Sequence, residues 1–306
     1  MACKECSANP VFSLVNRSFC RKHYIEYYES KVLRTIRNYH LLGKEENIAV
    51  AISGGKDSTT TLYILNQIAK QNPKIKIFGI LIDEGIAGYR DKTLKDAQKF
   101  CKKHKIKLYV YSFKKEFGKT LDELSKFGYP CSICGVFRRM LLNQKARELK
   151  ATKLATGHNL DDECQSVIMN QIKVNWQRSA TLGPITGIIS DKKFITRIKP
   201  LYLVSDKETA AYAFLMKFPV MHTECPYIHD SFRHDVRNAL NDLEEKHPGS
   251  KNGIINSFLE ILPDLKRKYS GGKLNYCKYC SDPCQEDVCK SCELVKKYKL
   301  KFPYCK

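Results

Sequence analysis

Fourteen cysteines punctuate the 306-residue chain, and most stand in pairs two residues apart. Near the start come Cys3-x2-Cys6 and Cys20-x2-His23; near the end comes Cys277-x2-Cys280-x8-Cys289-x2-Cys292. Thiolates and imidazoles at this spacing can wrap one tetrahedral Zn²⁺ per group. A third pair, Cys131-x2-Cys134, has no second pair beside it. Two further segments carry other chemistry. Ser53-Gly54-Gly55-Lys56-Asp57-Ser58 combines small residues, a cation and two hydroxyls, a set that suits phosphate. Asp161-Asp162-Glu163 is a run of carboxylates, the donor type that Mg²⁺ takes.

Composition narrows the setting. Lys and Arg total 53 against 32 Asp and Glu, a net charge of +21. Such an excess suits a polyanion, nucleic acid ahead of a membrane surface, although a Lys-rich surface also serves solubility alone. No run of about 18 apolar residues is present, so a membrane span is not expected. The opening Met-Ala-Cys-Lys-Glu-Cys is polar and unlike a secretory signal. A cytoplasmic protein is expected. In that compartment grouped cysteines point to metals or redox chemistry rather than disulfides.

Three segments are expected. Residues 1–23 are too short to fold on a core of their own, so metal would hold them as a structural zinc unit. Residues 24–270 form the main domain, and 271–306, after Gly271-Gly272, form the second zinc unit. Cys284 and Cys305 are surplus there. Between the zinc units the texture alternates. Ile25, Tyr28, Val32, Ile36 and Tyr39 recur at helical steps, predicting a helix over 24–42. Apolar runs at 47–53, 74–83, 106–113 and 153–158 read as strands. Residues 57–71, 90–104, 136–150 and 161–172 read as helices between and after them. Helices at 205–217, 232–247 and 253–262 follow, and Phe218–Met221 is strand-like. Short apolar strands alternating with helices predict an α/β fold, a mostly parallel sheet covered on both faces.

The strand at 47–53 runs straight into Ser53–Ser58 and a helix. Glycines there let the backbone approach phosphate, and helix N–H groups hold negative charge. The plain alternative is a glycine turn capped by Asp57 or Ser58. The Walker spacing G-x-x-x-x-G-K-[ST] is absent. Ser-Gly-Gly-Lys-Asp-Ser after a first strand resembles the PP-loop of the ATP-pyrophosphatase superfamily. That resemblance implies ATP cleaved between its α and β phosphates, with Mg²⁺, and a substrate activated by adenylation. It also implies adenine across the ends of the first two strands, at Ala51 and the Ile82-Asp83-Glu84-Gly85 stretch.

Cys131 and Cys134 lack a complement for zinc within the main domain. Cys101 and Cys164 read as core, and Cys225 stands in a loop before Pro226. The trio Cys131, Cys134 and Cys225 could hold an iron–sulfur cluster with one iron open, or act by persulfide chemistry, or bind zinc with His222 or His229. Cys-Ser-Ile-Cys-Gly-Val-Phe-Arg-Arg, then Ala-Thr-Gly-His-Asn-Leu-Asp-Asp-Glu and a later lone cysteine, resembles the TtcA/TtuA class of tRNA 2-thiolases. The flanking zinc units match its TtuA-type subgroup, the archaeal and eukaryotic cytosolic thiouridylases. This resemblance implies a [4Fe-4S] cluster on Cys131, Cys134 and Cys225 whose fourth iron carries sulfur. It implies tRNA as substrate, sulfide or a ubiquitin-like carrier as sulfur donor, and a homodimer. Lys56, Asp162 and, with less weight, Asp161 would act at ATP or substrate. Ser53, Gly54, Gly55, Asp57, Ser58, Arg138, Arg139 and Gly157 would line the nucleotide. Arg138 stands where some relatives carry lysine. Asp161 and Asp162 otherwise suit the first turn of a helix, and Arg233 and Arg237 read as RNA contacts or a solvated basic face.

Two rival functions stand beside this one. A lysidine-type PP-loop ligase would not need the cysteine trio. A non-catalytic zinc-ribbon RNA-binding protein would explain the charge and the zinc units but not Ser53–Ser58.

Overall fold

A computed structural model describes residues 2–14, 17–189, 191–220, 224–227, 232–271 and 275–302. The first elements are a small hairpin of β1 (Phe12–Leu14) and β2 (Arg17–Phe19), then α1 (Arg21–Asn38). The α/β core runs β3 (Glu46–Ile52), α2 (Lys56–Gln71), β4 (Ile75–Asp83), α3 (Arg90–His104) and β5 (Lys107–Ser112). Short helices α4 (Phe113–Phe117) and α5 (Leu121–Leu124) lead to the long α6 (Pro130–Glu148). After it come β6 (Lys153–Ala155), α7 (Leu160–Ile172), α8 (Trp176–Ala180), β7 (Thr196–Ile198) and α9 (Asp206–Leu215). The chain continues through α10 (Phe232–Lys246), α11 (Ser250–Tyr269), a hairpin of β8 (Asn275–Tyr276) and β9 (Pro283–Cys284), and α12 (Lys290–Lys297).

The central sheet has five parallel strands in the order β5-β4-β3-β6-β7. Its strands are apolar on both faces because helices cover both. In β3, Ile48, Val50 and Ile52 face one cluster with Tyr24, Tyr28, Leu62 and Tyr212, while Ala49 faces the other with Phe113, Phe137 and Leu141. A third cluster joins α7, α10 and α11 around Val167, Val236 and Phe258. From β3 the chain steps one way to β4 and later the other way to β6. The switch point therefore lies between β3 and β6, where ligands of open α/β sheets bind beyond the carboxyl ends of the strands.

Three of the expected strands and most helices are present within a residue or two. The strand expected at 153–158 ends at Ala155, the helix expected at 24–42 runs Arg21–Asn38, and that expected at 253–262 extends over Ser250–Tyr269. Three differences matter. The helix expected at 136–150 starts at Pro130, so the cysteine pair lies in its first turn rather than in a loop. Proline at the first helical position needs no N–H partner, so it opens this helix. Residues Phe218–Val220 form no strand, and β7 at Thr196–Ile198 is the fifth strand. A three-residue edge strand carries too little pattern to be read before its partner is known. No helix among the described residues is long and apolar enough to cross a membrane.

Candidate active site and metal centres

The phosphate loop is built by steric exclusion. Gly54 has φ of +82°, and a Cβ there would lie 2.4 Å from the Thr93 carbonyl oxygen, so only glycine fits. Gly55 caps α2 without a side-chain hydrogen bond, which leaves the first-turn N–H groups free to meet an anion. The Ser53 N–H donates to Ser58 Oγ at 3.1 Å, and the Ser58 hydroxyl donates to the Gly55 carbonyl at 3.1 Å. From β6, Gly157 closes on the same turn: a Cβ there would stand 2.7 Å from the Ser58 nitrogen. Ala51 and Ile82, at the ends of neighbouring strands, share the face that α6 covers.

Lys56 Nζ lies 2.9 Å from Asp57 Oδ2 and 2.5 Å from Asp206 Oδ1. Burial works against its charge, but the two carboxylates more than offset that and hold its pKa above the ordinary lysine value. Burial also raises the Asp57 carboxyl, against the pull of Lys56. Asn159 Nδ2 donates to Asp57 Oδ1 at 3.0 Å and to Asp206 Oδ1 at 3.3 Å. Asn159 and Asp162 make a reciprocal capping box at the start of α7, so the ordinary capping role of this acid is present. The Asp162 carboxyl is also pushed up to about 7, by desolvation in the cleft and then by the Asp57 charge. Two neighbouring carboxylates, only partly offset by Lys56 at Asp57 and by Arg233 3.9 Å from Asp162, fit a divalent cation that also leans on substrate phosphates. Asp161 points elsewhere. It accepts from the Asp206 N–H at 2.7 Å and pairs with Lys251.

The cysteine pair lies on one face of the α6 first turn, where the helix dipole favours thiolate. Cys131 is exposed and its thiol donates to the Tyr227 carbonyl at 3.0 Å. Cys134 and Cys225 are half-buried against the α6 side of the core. Burial pushes the Cys134 thiol up to about 12, against the nearby Arg138 charge. Burial, then the Cys225 charge, raises the Cys131 thiol, so the three sulfurs feel one another. Among the described residues, the thiol and imidazole groups that converge within 4.8 Å are the two terminal sets only. The trio is thus spread more widely than one ion needs. A cubane cluster takes its thiolates on separate irons and so does not need them to converge on one point. His222 and His229 lie outside the described residues, as does Cys305.

One network, centred on a buried ion pair, ties the loop to the cysteine helix. Glu84 is fully buried and pairs with Arg90, and Arg138 Nη1 reaches it at 3.3 Å. Arg90 Nη1 in turn donates to the Ser53 carbonyl at 2.7 Å. Sequence reasoning placed Glu84 only within the expected adenine stretch and missed Arg90, Asn159 and Asp206 as site residues. Asp206 opens α9 beside a Ser205–Glu208 capping box, and its sequence context shows only an ordinary helix start. Of the arginines on α10, Arg237 pairs with Glu224 at 2.6 Å and Arg233 donates to Gln165 Oε1 at 3.0 Å.

The terminal sets have zinc geometry. Cys3 and Cys20 sulfurs each lie 3.4 Å from His23 Nδ1, and Cys6 lies 3.6 Å from Cys20. A tetrahedron with bonds of about 2.0–2.3 Å places its donors ~3.5–3.8 Å apart. Cys277, Cys280, Cys289 and Cys292 converge in the same way, with Cys280 and Cys289 3.6 Å apart. The tail packs on the α6 side through Val295 and Phe302, and Arg147 of α6 pairs with Asp282 at 2.9 Å. Replacing Cys277 and Cys280 with serine is expected to halve bound zinc from two ions to one and to lower Tm. The tail should become protease-sensitive while iron stays bound. Metal analysis and limited proteolysis check this, and loss of all iron would count against separate roles for the two centres.

A parallel sheet whose first strand ends in Ser-Gly-Gly-Lys-Asp-Ser, facing its own switch point, defines a PP-loop domain. A family model of that description matches residues 26–244. The tRNA-5-methyluridine(54) 2-sulfurtransferase of Pyrococcus horikoshii is 36% identical over 96% of this chain and 93% of its own. The tRNA 2-thiolation protein NcsA of Haloferax volcanii is 33% identical over 96% of this chain and 98% of its own. The solved U34-tRNA thiolase NcsA of Methanococcus maripaludis, with its [4Fe-4S] cluster, matches with a TM-score of 0.84 and 34% identity, over 97% of this chain and 96% of that one. The chain belongs to the PP-loop tRNA 2-sulfurtransferase family.

Proposed function

We propose that this protein makes 2-thiouridine in tRNA in two half-reactions at one cleft. ATP lies at Ser53–Ser58 with its adenine near Ala51 and Ile82. The oxygen on C2 of the target uridine attacks the α-phosphorus, and pyrophosphate leaves. Lys56, the α2 N–H groups and Arg138 meet the charge that develops on the phosphates, and Asp57 and Asp162 are placed to hold Mg²⁺. Asp161 ties α7 to α9 through the Asp206 N–H and to α11 through Lys251. Cys131, Cys134 and Cys225 would hold a [4Fe-4S] cluster. Three protein thiolates leave one iron open, and the cluster supplies, when bound, a site to present hydrosulfide as nucleophile. Sulfur replaces the activated oxygen at C2 and AMP departs. The sulfur donor is sulfide or a ubiquitin-like carrier, the protein acts in the cytoplasm as a homodimer, and each zinc unit braces one flank of the 24–270 domain.

The observation that carries this reading is the chain Ser53–Arg90–Glu84–Arg138, whose two middle members are buried. It joins the phosphate loop to the cysteine helix one turn from Cys134, so activation and sulfur delivery share one rigid frame. Anaerobically purified protein incubated with ATP, Mg²⁺, sulfide and tRNA is expected to form thionucleoside, AMP and pyrophosphate in equal amounts. A protein free of iron that thiolates at full rate, or one that consumes ATP without placing sulfur in tRNA, overturns the reading.

A further inference from the structure

Arg138 and Arg139 adjoin in sequence but serve different surroundings. Arg138 reaches Glu84 on the nucleotide side. The Arg139 guanidinium folds back over Gly135: a Cβ on that glycine would lie 3.2 Å from Arg139 Nη1. Gly135 thus leaves room for a cation directly beside Cys134. On the far side, Arg197 Nη2 from β7 donates to the Arg139 carbonyl at 3.2 Å. Arg178 of α8 is near enough for its charge, with that of Arg197, to bear on Arg139.

Among the described residues, these three cations differ from their neighbours in having no carboxylate paired with them. Arg90 and Arg138 pair with Glu84, Lys199 with Glu163, and Lys251 with Asp161. The described residues give Arg139, Arg178 and Arg197 no carboxylate. Like charges gathered without a partner are costly, and a bound anion removes the cost. The site is also laterally displaced from the phosphate loop. β7 is two strands from β3, roughly 10 Å at ~4.8 Å per strand. A triphosphate cradled after β3 does not call for it, whereas a polyanion with phosphates spaced along a backbone does. Trp176, the chain's single tryptophan, is 36% exposed in the same short helix as Arg178, an aromatic surface of the kind on which single-stranded RNA bases stack.

We propose that Arg139, Arg178 and Arg197 bind the phosphodiester backbone of the tRNA strand carrying the target uridine, and so seat its base beside Cys131 and Cys134. This rests on the tRNA-thiolase reading above.

The test measures affinity of the cluster-bearing protein for a tRNA transcript across a salt series, with ATP affinity measured separately. Arg178→Gln, on an exposed helix, is the leading variant, with Arg139→Gln and Arg197→Gln beside it. Each is expected to weaken tRNA binding several-fold and to reduce the slope of log K against log salt by about 1, with ATP affinity in Arg178→Gln unchanged. Arg178→Lys should restore the slope, which separates lost charge from a damaged fold. Wild-type affinity and slope in all three glutamine variants overturn the inference while the thiolase reading stands. Weakened ATP binding with intact tRNA binding overturns it too, by placing a nucleotide phosphate there. Intact tRNA binding with failed transfer from an acidic sulfur-carrier protein would reassign the patch to that protein. A wild-type protein that neither binds nor thiolates tRNA removes both readings together.

Discussion

Alanine at any one of Cys131, Cys134 and Cys225 is expected to abolish thionucleoside formation and leave tRNA-dependent pyrophosphate release in place. The three thiols belong to two segments, the first turn of α6 and the loop held by the Tyr227 hydroxyl, which donates to Asp122 at 2.7 Å. None of them touches the phosphate loop directly, so adenylation should survive their loss. With two thiolates a cluster lacks the three-point attachment that leaves a single iron open, so the fall in sulfur insertion should reach about 10³-fold or more. Iron content should drop in parallel. Cys101→Ala and Cys164→Ala serve as controls. Both side chains are buried in the core, and Cys164 donates to the Lys251 carbonyl at 3.2 Å, so these variants should lose stability but keep iron and activity. Thionucleoside analysis beside an iron assay decides the matter. A trio variant that still thiolates tRNA at the wild-type rate would falsify the cluster assignment and favour a persulfide on a remaining cysteine.

Lys56→Ala is expected to stop the reaction one step earlier, with no pyrophosphate released and no thionucleoside formed. Lys56 is the cation of the loop, and its ammonium is held protonated by Asp57 and Asp206. Removing a group aimed at developing phosphate charge costs about 10²–10³ in rate. The substitution also leaves Asp57 and Asp206 facing each other without their shared cation, with only the neutral Asn159 amide between them, so Tm should fall and Mg²⁺ should partly restore it. Asp162→Ala removes the other end of the capping box with Asn159 and is expected to fail at the same step. Both variants should keep their iron, since the cysteine trio is untouched. Pyrophosphate release at the wild-type rate by both purified variants, with ATP, Mg²⁺ and tRNA present, would leave the phosphate-loop assignment without support.

Much of this molecule was legible in its order of residues because the relevant signals are local. The zinc knuckles depend on donors two residues apart, a distance set by backbone geometry. The phosphate loop depends on a glycine with positive φ between a strand and a helix, which Ser53–Ser58 states directly. Runs such as Ile48–Ile52 and Ile77–Ile82 are apolar at every step because both faces of the sheet are covered, and that pattern announces a parallel sheet. The start of α6 was harder to read. Cys-Ser-Ile-Cys-Gly has weak helix propensity, yet Pro130 at its first position and burial of Ile133 and Phe137 carry the helix through it.

What the sequence alone determined, then, is the set of parts: two metal-binding ends, a phosphate loop, a cysteine pair and a carboxylate-led helix. Tertiary structure decided how they act on one another. The switch between β3 and β6 brings Gly157 and Asn159 against Asp57 and Ser58, about a hundred residues away in sequence. Burial made Glu84 the meeting point of Arg90 and Arg138, and it turned Asp161 toward Lys251 instead of toward the loop. Packing also separated Arg138 from its neighbour Arg139, sending one to a carboxylate and leaving the other among arginines. The physical reason is that a charge acts according to what surrounds it, through desolvation and counter-charges supplied by distant segments, and those surroundings exist only once the chain has folded.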